Sequence, residues 1–310
     1  MATRWNSKHT GQKIDDTIDY VTNPNLLDNW YFGNPVNQRG LTEYSGAGYC
    51  IDRWFAGDNK VTLEDDGILV TCNVAMSIFR QYLEFAKLLS GKVITFSVDA
   101  EIISGRWFLT NMSHFSAAHN DQPINNGITS YSFRVSDPSA QGSGPAVGMF
   151  SPSKGSQIKV RSIKLELGTQ QTLAHQDADG NWVLNEIPDY GEQLRRCQRY
   201  FWRCKFARND LFFGSLSTNL DRAWITIPTP VVMRTAPSVS FSETFNGTIR
   251  GNGFNVEFFK SNSAIGADTS TTRCFNILIT PNTKPSAWTA QQVVMIYTSS
   301  EWYMDCSADL

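Results

Sequence analysis

Apolar and polar residues alternate with a period of two along several stretches of the chain. The clearest runs from Val93 to Ile102: Ile94, Phe96, Val98, Ala100 and Ile102 have one parity, Thr95, Ser97, Asp99 and Glu101 the other. Such a run predicts a strand with one buried and one wet face. Tyr131, Phe133 and Val135 alternate in the same way. Ile158 and Val160 share one parity while Ile163, Leu165 and Leu167 share the other, which predicts a β-bulge at Arg161–Ser162. Glu64-Asp65-Asp66-Gly67 reads as a hairpin turn. Beyond residue 210 a second set of strands is expected at Val239 and Phe241, at Phe254–Phe258, at Phe275–Ile279, and at Val293, Met295 and Tyr297. Turn signals at Asn246-Gly247 and Gly251-Asn252-Gly253 separate some of them.

Helical periods are fewer. Ile14, Ile18 and Val21 predict an N-terminal helix, with Thr10 as its cap and Asn23-Pro24-Asn25 as its end. One apolar stripe of about three turns does not hold a helix alone in water, so these residues are the candidates for oligomerisation or attachment. Ile78, Tyr82, Phe85 and Leu89 predict a short helix stopped by Gly91. A hairpin turn at Asp177-Ala178-Asp179-Gly180 precedes Trp182–Leu184, and Leu194, Cys197, Phe201 and Cys204 then predict a helix over 192–206. The expected fold is all-β: two β-sandwich domains joined by a short α-helix, with a short N-terminal helix in front. The expected division is 1–24 for attachment or oligomerisation, 25–170 for the first sandwich, 171–206 for the linking hairpin and helix, and 207–310 for the second β-domain.

Composition narrows the function classes. Of 310 residues, 18% are charged and 12% aromatic, which excludes a disordered chain. The net charge is −2, so nucleic acid is not an expected partner. No apolar run of about 18 residues is present, so membrane insertion as a helix is not expected. The N-terminal stretch Met1–Asp16 lacks the apolar core of a signal peptide. Six scattered cysteines form no C-x-x-C pair and read as buried small side chains.

No Walker loop, nucleophile elbow or zinc spacing is present, and no cofactor or metal is expected. His114 and His119, with Asp121 nearby, fit a solvated loop better than a metal site. Asp99 and Glu101 share a strand face, but a glycosidase pair is not readable from spacing alone, so no catalytic residue is assigned. The remaining anomaly is aromatic: Trp30-Tyr31-Phe32, Trp54-Phe55 and Trp107-Phe108. Aromatic faces stack on the C–H faces of sugars, and polar side chains bind the hydroxyls. Core packing is the competing use of each ring. Trp107, at a strand end in Ser104-Gly105-Arg106-Trp107, is expected to be exposed. Trp107, Trp54, Arg106 and Asn111 are the candidate carbohydrate contacts.

Three longer motifs carry a family resemblance. Residues 23–32 (NPNLLDNWYF), 35–40 (PVNQRG) and 49–54 (YCIDRW), with Ile163–Gly168 as a last strand, resemble a domain of bacteriophage and prophage tail fibres. Tyr190–Phe201 resembles the helix that follows it, and residues 225–239 resemble the distal β-domain of such proteins. The resemblance implies a jelly-roll domain similar to carbohydrate-binding modules. It implies a virion protein made in the host cytoplasm, a homotrimer in keeping with many of these fibres, with host cell-surface glycan and other tail or baseplate proteins as partners. It implies adhesion without catalysis. A virion decoration or connector protein, and a glycan-depolymerising hydrolase, are the alternatives.

Overall fold

The computed structural model describes residues 23–111, 121–135, 145–216, 222–243, 246–251, 254–259, 263–268, 271–281 and 293–309. The chain divides into two compact units, one reaching Gln193 and the other running from Leu194 to Asp309. Ile14, Ile18, Val21, His114 and His119 lie outside the described residues.

The first unit is a two-sheet sandwich. Its strands are β1 (Glu43–Ser45), β2 (Lys60–Glu64), β3 (Gly67–Thr71), β4 (Ile78–Tyr82), β5 (Val93–Ser104), β6 (Phe108–Thr110), β7 (Gln122–Pro123), β8 (Gly127–Arg134), β9 (Ala146–Phe150) and β10 (Gln157–Leu167). One sheet has the order β1-β2-β3-β10-β5-β8 and the other β4-β9-β6-β7. From β3 to β10 the chain passes back and forth between the sheets, the jelly-roll pattern. Ile94, Phe96, Val98 and Ala100 of β5 and Phe79, Val147 and Met149 of the smaller sheet are fully buried in one shared core. The hairpin at Asp65–Asp66 joins β2 to β3, with Glu64 opposite Gly67. The register of β10 on β5 shifts between Val160 and Ser162, the bulge that the change of parity predicts.

Three expectations for the first unit and the join need correction. The polar face of β5 is wet only toward its end, at Asp99 and Glu101, since Thr95 and Ser97 are buried. The segment after β10 returns over that face: Thr95 Oγ1 donates to Gly168 O, Thr172 N–H donates to Glu166 Oε1 at 2.7 Å, and Lys164 Nζ lies 3.4 Å from Glu186 Oε1. Residues 78–82 form strand β4 rather than a helix, and only Ala86–Leu89 make a short 3₁₀ turn. Hydrogen bonding to β9 along its whole length overrides the weak helical spacing.

The third correction concerns the join. After the hairpin of β11 (Ala174–Gln176) and β12 (Trp182–Leu184), helix α1 spans only Tyr190–Cys197. Asp189 caps it by accepting the Glu192 N–H at 2.7 Å. Phe201–Phe206, expected to continue the helix, is strand β13. A sequence such as Phe-Trp-Arg-Cys-Lys-Phe favours a strand on its β-formers, and here it finds a partner in Trp302–Ser307.

The second unit is also a sandwich, of β13, β14 (Leu211–Leu216), β15 (Ala223–Pro228), β16 (Ser238–Phe241), β17 (Asn246–Gly251), β18 (Phe254–Phe259), β19 (Ser263–Asp268), β20 (Cys274–Pro281), β21 (Val293–Thr298) and β22 (Trp302–Ser307). A sheet β13-β22-β16 faces a sheet β18-β17-β21-β14-β15-β20-β19, with Phe206, Met304, Ile225, Ile277 and Ile296 in the core between them. Asn246 and Gly247, expected as a turn, open β17 instead. In β21 the buried residues are Val294 and Ile296, while Val293 and Met295 are exposed, the reverse of the parity expected. Among the described residues no helix is long and apolar enough to cross a membrane, and no group of three metal-ligating side chains occurs.

Candidate functional site

The outward face of the smaller sheet of the first unit gathers aromatic rings around one arginine. Strand β4 points Phe79 and Gln81 into the unit and leaves Ile78, Arg80 and Tyr82 on the other side, half-buried. Arg80 lies opposite Gly148 of β9, and Tyr82 opposite Ala146. On the free edge of β4, Phe55 N–H donates to Arg80 O at 2.8 Å and Arg80 N–H to Phe55 O at 3.0 Å. Tyr49 in turn bridges to Phe55. Tyr49, Phe55, Arg80 and Tyr82 are thereby placed side by side.

Their contacts make one cluster. The Arg80 guanidinium sits 4.5 Å from the centre of the Phe55 ring and 5.1 Å from that of Tyr82. Its Nε donates to the Tyr82 hydroxyl at 2.8 Å. Tyr49 meets Phe55 edge-on at 5.4 Å, and Phe55 meets Tyr82 at 6.3 Å. Further along the same face Phe108 stacks on Phe150 at 5.5 Å. Among the described residues Arg80 has no carboxylate partner, so its terminal nitrogens keep their donor capacity. Aromatic contact orients the guanidinium without neutralising it.

Buried groups fix the platform from behind. Arg53, only 2% exposed and at φ 72°, donates from Nη2 to the backbone oxygen of Tyr82 at 2.8 Å and from Nε to Asp28 at 3.1 Å. Gln81 closes the same link by exchanging two hydrogen bonds with the Asp28 backbone, at 2.8 and 2.9 Å. Gly148 is needed where it stands: a Cβ there would collide with the Phe79 carbonyl oxygen and lie 2.9 Å from Arg80 Cα.

The residues expected to touch sugar are not brought together here. Trp54 is fully buried, stacked on Phe79 at 4.9 Å with Nε1 donating to Asn29 O at 2.8 Å. Trp107, expected at the surface, is 1% exposed and belongs to the core. Neither indole presents a face to a ligand. Asn111 is buried as well, and Arg106 alone of the four is exposed. In each Trp-Phe pair the tryptophan faces the core and the phenylalanine faces out. Ile78-Phe79-Arg80-Gln81-Tyr82 does not alternate apolar with polar residues, because Gln81 is buried and Ile78 faces out, so the pairing of β4 alone reveals this face. Asp99 and Glu101 are both held by Arg161, at 3.7 and 2.7 Å, in a network that includes Asp66 and Lys159. Burial raises the Asp99 carboxyl above its ordinary range, while Arg161 lowers it.

No protein-family model matches the chain, and no curated protein matches it. Among solved structures, the xylan-binding domain CBM22-1 of Paenibacillus barcinonensis Xyn10C aligns with 48% of this chain and 98% of its own, at 11% identity and a TM-score of 0.30. The CBM22-1–CBM22-2 tandem of the same protein aligns with 93% of this chain and 98% of its own, at 12% identity and a TM-score of 0.28. Discoidin II of Dictyostelium discoideum aligns with 81% of each chain at 12% identity and a TM-score of 0.18. Likenesses of this size carry no argument about ligand or mechanism, and the two-sandwich, all-β fold rests on the strands and sheets themselves.

Proposed function

We propose that the chain is a non-catalytic glycan-binding protein whose ligand lies on the outward face of the β4-β9-β6-β7 sheet. The observation that carries this reading is Arg80, held between Phe55 and Tyr82 on the outward face of the sheet, with Nε bonded to the Tyr82 hydroxyl and its terminal nitrogens without a carboxylate partner among the described residues. The rings take the C–H faces of a saccharide, and the guanidinium donates to its hydroxyl oxygens. Binding without turnover needs no general acid or base, and the Arg161-held carboxylates serve the sheet.

The finer reading is a bacteriophage tail fibre, made in the host cytoplasm, that holds host surface glycan on several copies at once. The resemblance of residues 23–54 and 190–201 to tail-fibre domains supports it. Weak single contacts would then be raised by avidity in a trimer. A decoration or connector protein of the capsid or baseplate is the alternative, which immunogold localisation on particles would separate.

The test is a glycan array read with the intact protein and with Arg80→Ala and Tyr82→Ala. Each substitution is expected to weaken the strongest array signals by about tenfold while the circular dichroism spectrum stays unchanged. Reducing ends should not accumulate when the bound polysaccharide is incubated with the protein. Array signals indifferent to both substitutions would move the site elsewhere, and steady release of reducing ends would replace adhesion with hydrolysis.

A further inference from the structure

The second unit carries a hollow of about 430 Å³, lined by Arg208, Asn209, Thr248, Arg250, Tyr297 and Ser299. Its position follows from strand parity. Thr248 and Arg250 of β17 alternate with the buried Gly247 and Ile249, and Thr248 pairs with Tyr297 of β21. The turn that bears Arg208 is tied down beside them. Asn209 N–H donates to Thr298 O at 2.9 Å, Thr298 N–H donates to Asp210 O at 3.1 Å, and Ala207 N–H donates to Asp210 Oδ2 at 2.8 Å.

Charge distinguishes this hollow. Two guanidinium groups line it and no carboxylate does. Neither Arg208 nor Arg250 forms an ion pair among the described residues, whereas Arg39, Arg53, Arg161 and Arg203 all do. Arg250 is nonetheless held in place, 4.8 Å over the Tyr297 ring, with Nε donating to Asn255 at 3.3 Å. Its terminal nitrogens have no partner among the described residues. Glu257, which pairs with Thr248 from β18, lies one strand further out and is not part of the lining.

Two guanidinium groups, that of Arg250 oriented by Tyr297 and Asn255 and neither with a counter-ion among the described residues, fit an oxyanion through charge-assisted and frequently bidentate bonds. The hydroxyls of Thr248 and Ser299 and the amide of Asn209 fit the neutral oxygens of a polyol, while the Tyr297 hydroxyl, which donates to Met295 Sδ at 3.6 Å, accepts from one. The volume suits a mono- or disaccharide. We propose that this hollow binds an acidic sugar unit, its carboxylate held by Arg208 and Arg250 and its hydroxyls by the surrounding side chains. The site is separate from the aromatic face of the first unit and shares with it only the class of ligand.

The experiment is calorimetric titration of the whole chain with trigalacturonate and sialyllactose, with fully methyl-esterified trigalacturonate, and with inorganic phosphate. An acidic saccharide should bind, more weakly as salt rises, and the ester should bind at least about tenfold more weakly than its acid. The pair Arg208→Gln and Arg250→Gln should remove that difference with an unchanged thermal melt, and Thr248→Val should weaken binding without touching the charge. Arg80→Ala should leave it intact; loss of acidic-sugar binding in Arg80→Ala would place the acid on the first unit and overturn this site alone. Equal binding of acid and ester, full binding by the Arg208/Arg250 variant, or no binding of either acidic saccharide would also overturn it. Phosphate binding as tightly as the saccharides would reduce the hollow to a bare anion site and remove the sugar from the proposal.

Discussion

Trp54 and Phe55 are adjacent in the chain and belong to opposite sides of a sheet. The tryptophan loses all exposure, stacks on Phe79 and finds an acceptor for its N–H in Asn29 O. The phenylalanine stays half-buried under Arg80. Substituting them should therefore separate stability from binding. Trp54→Ala removes a fully packed ring and should cost about 3–5 kcal/mol in denaturant unfolding. Phe55→Ala should cost much less and should weaken glycan binding instead. Equal losses of stability from both substitutions would mean that Phe55 belongs to the core. The sequence marked both Trp-Phe pairs as anomalous. It did not say which member of each faces out, because a shift of one residue exchanges the faces of a strand.

The platform depends on strand β4 and on the close approach of β9. That approach exists because position 148 has no side chain: an added Cβ would press on Phe79 O and Arg80 Cα. Backbone atoms cannot swing away as a long side chain can. Gly148→Ala is expected to destabilise the first unit by about 1–3 kcal/mol and to displace Arg80. Glycan affinity should fall with it, while the acidic-sugar hollow of the second unit should be unaffected. A crystal structure of the variant with Arg80 still over Phe55 would contradict this. The elements best forecast were those with long alternation or explicit turn residues, namely β5, the Asp65–Asp66 hairpin and the Asp177–Gly180 hairpin. The elements read as helix, β4 and β13, are short and show no sustained alternation of apolar with polar residues. Pairing with β9 and with β22 decides them, and neither partner is near in the chain.

At the scale of the whole molecule, two sandwiches follow one another, each with its own core. Asn23 anchors the start of the first sandwich, donating its backbone N–H to Thr172 Oγ1 and its side-chain amide to Leu167 O. Deletion of residues 1–22 should therefore leave both units folded, with melting temperatures unchanged. In the tail-fibre reading the same deletion should abolish incorporation into particles, since Ile14, Ile18 and Val21 are the expected attachment stripe. Normal incorporation of the shortened chain would remove that role from the stripe.

The sequence by itself determined the class of fold, the strands with sustained alternation, the turns at Asp65–Asp66 and Asp177–Gly180 and the bulge in β10. Each of these depends on interactions between residues close in the chain or on the simple rule that apolar side chains leave water. It also marked aromatic and polar side chains as the candidate contacts. Only the tertiary structure decided which rings remain in reach of solvent. That choice is made by strand partners up to about a hundred residues away, as with Phe201–Phe206 against Trp302–Ser307, and by the return of residues 168–186 over the polar face of β5. That Arg80, Arg208 and Arg250 have no carboxylate partner among the described residues is likewise tertiary, because a counter-ion is a neighbour in space.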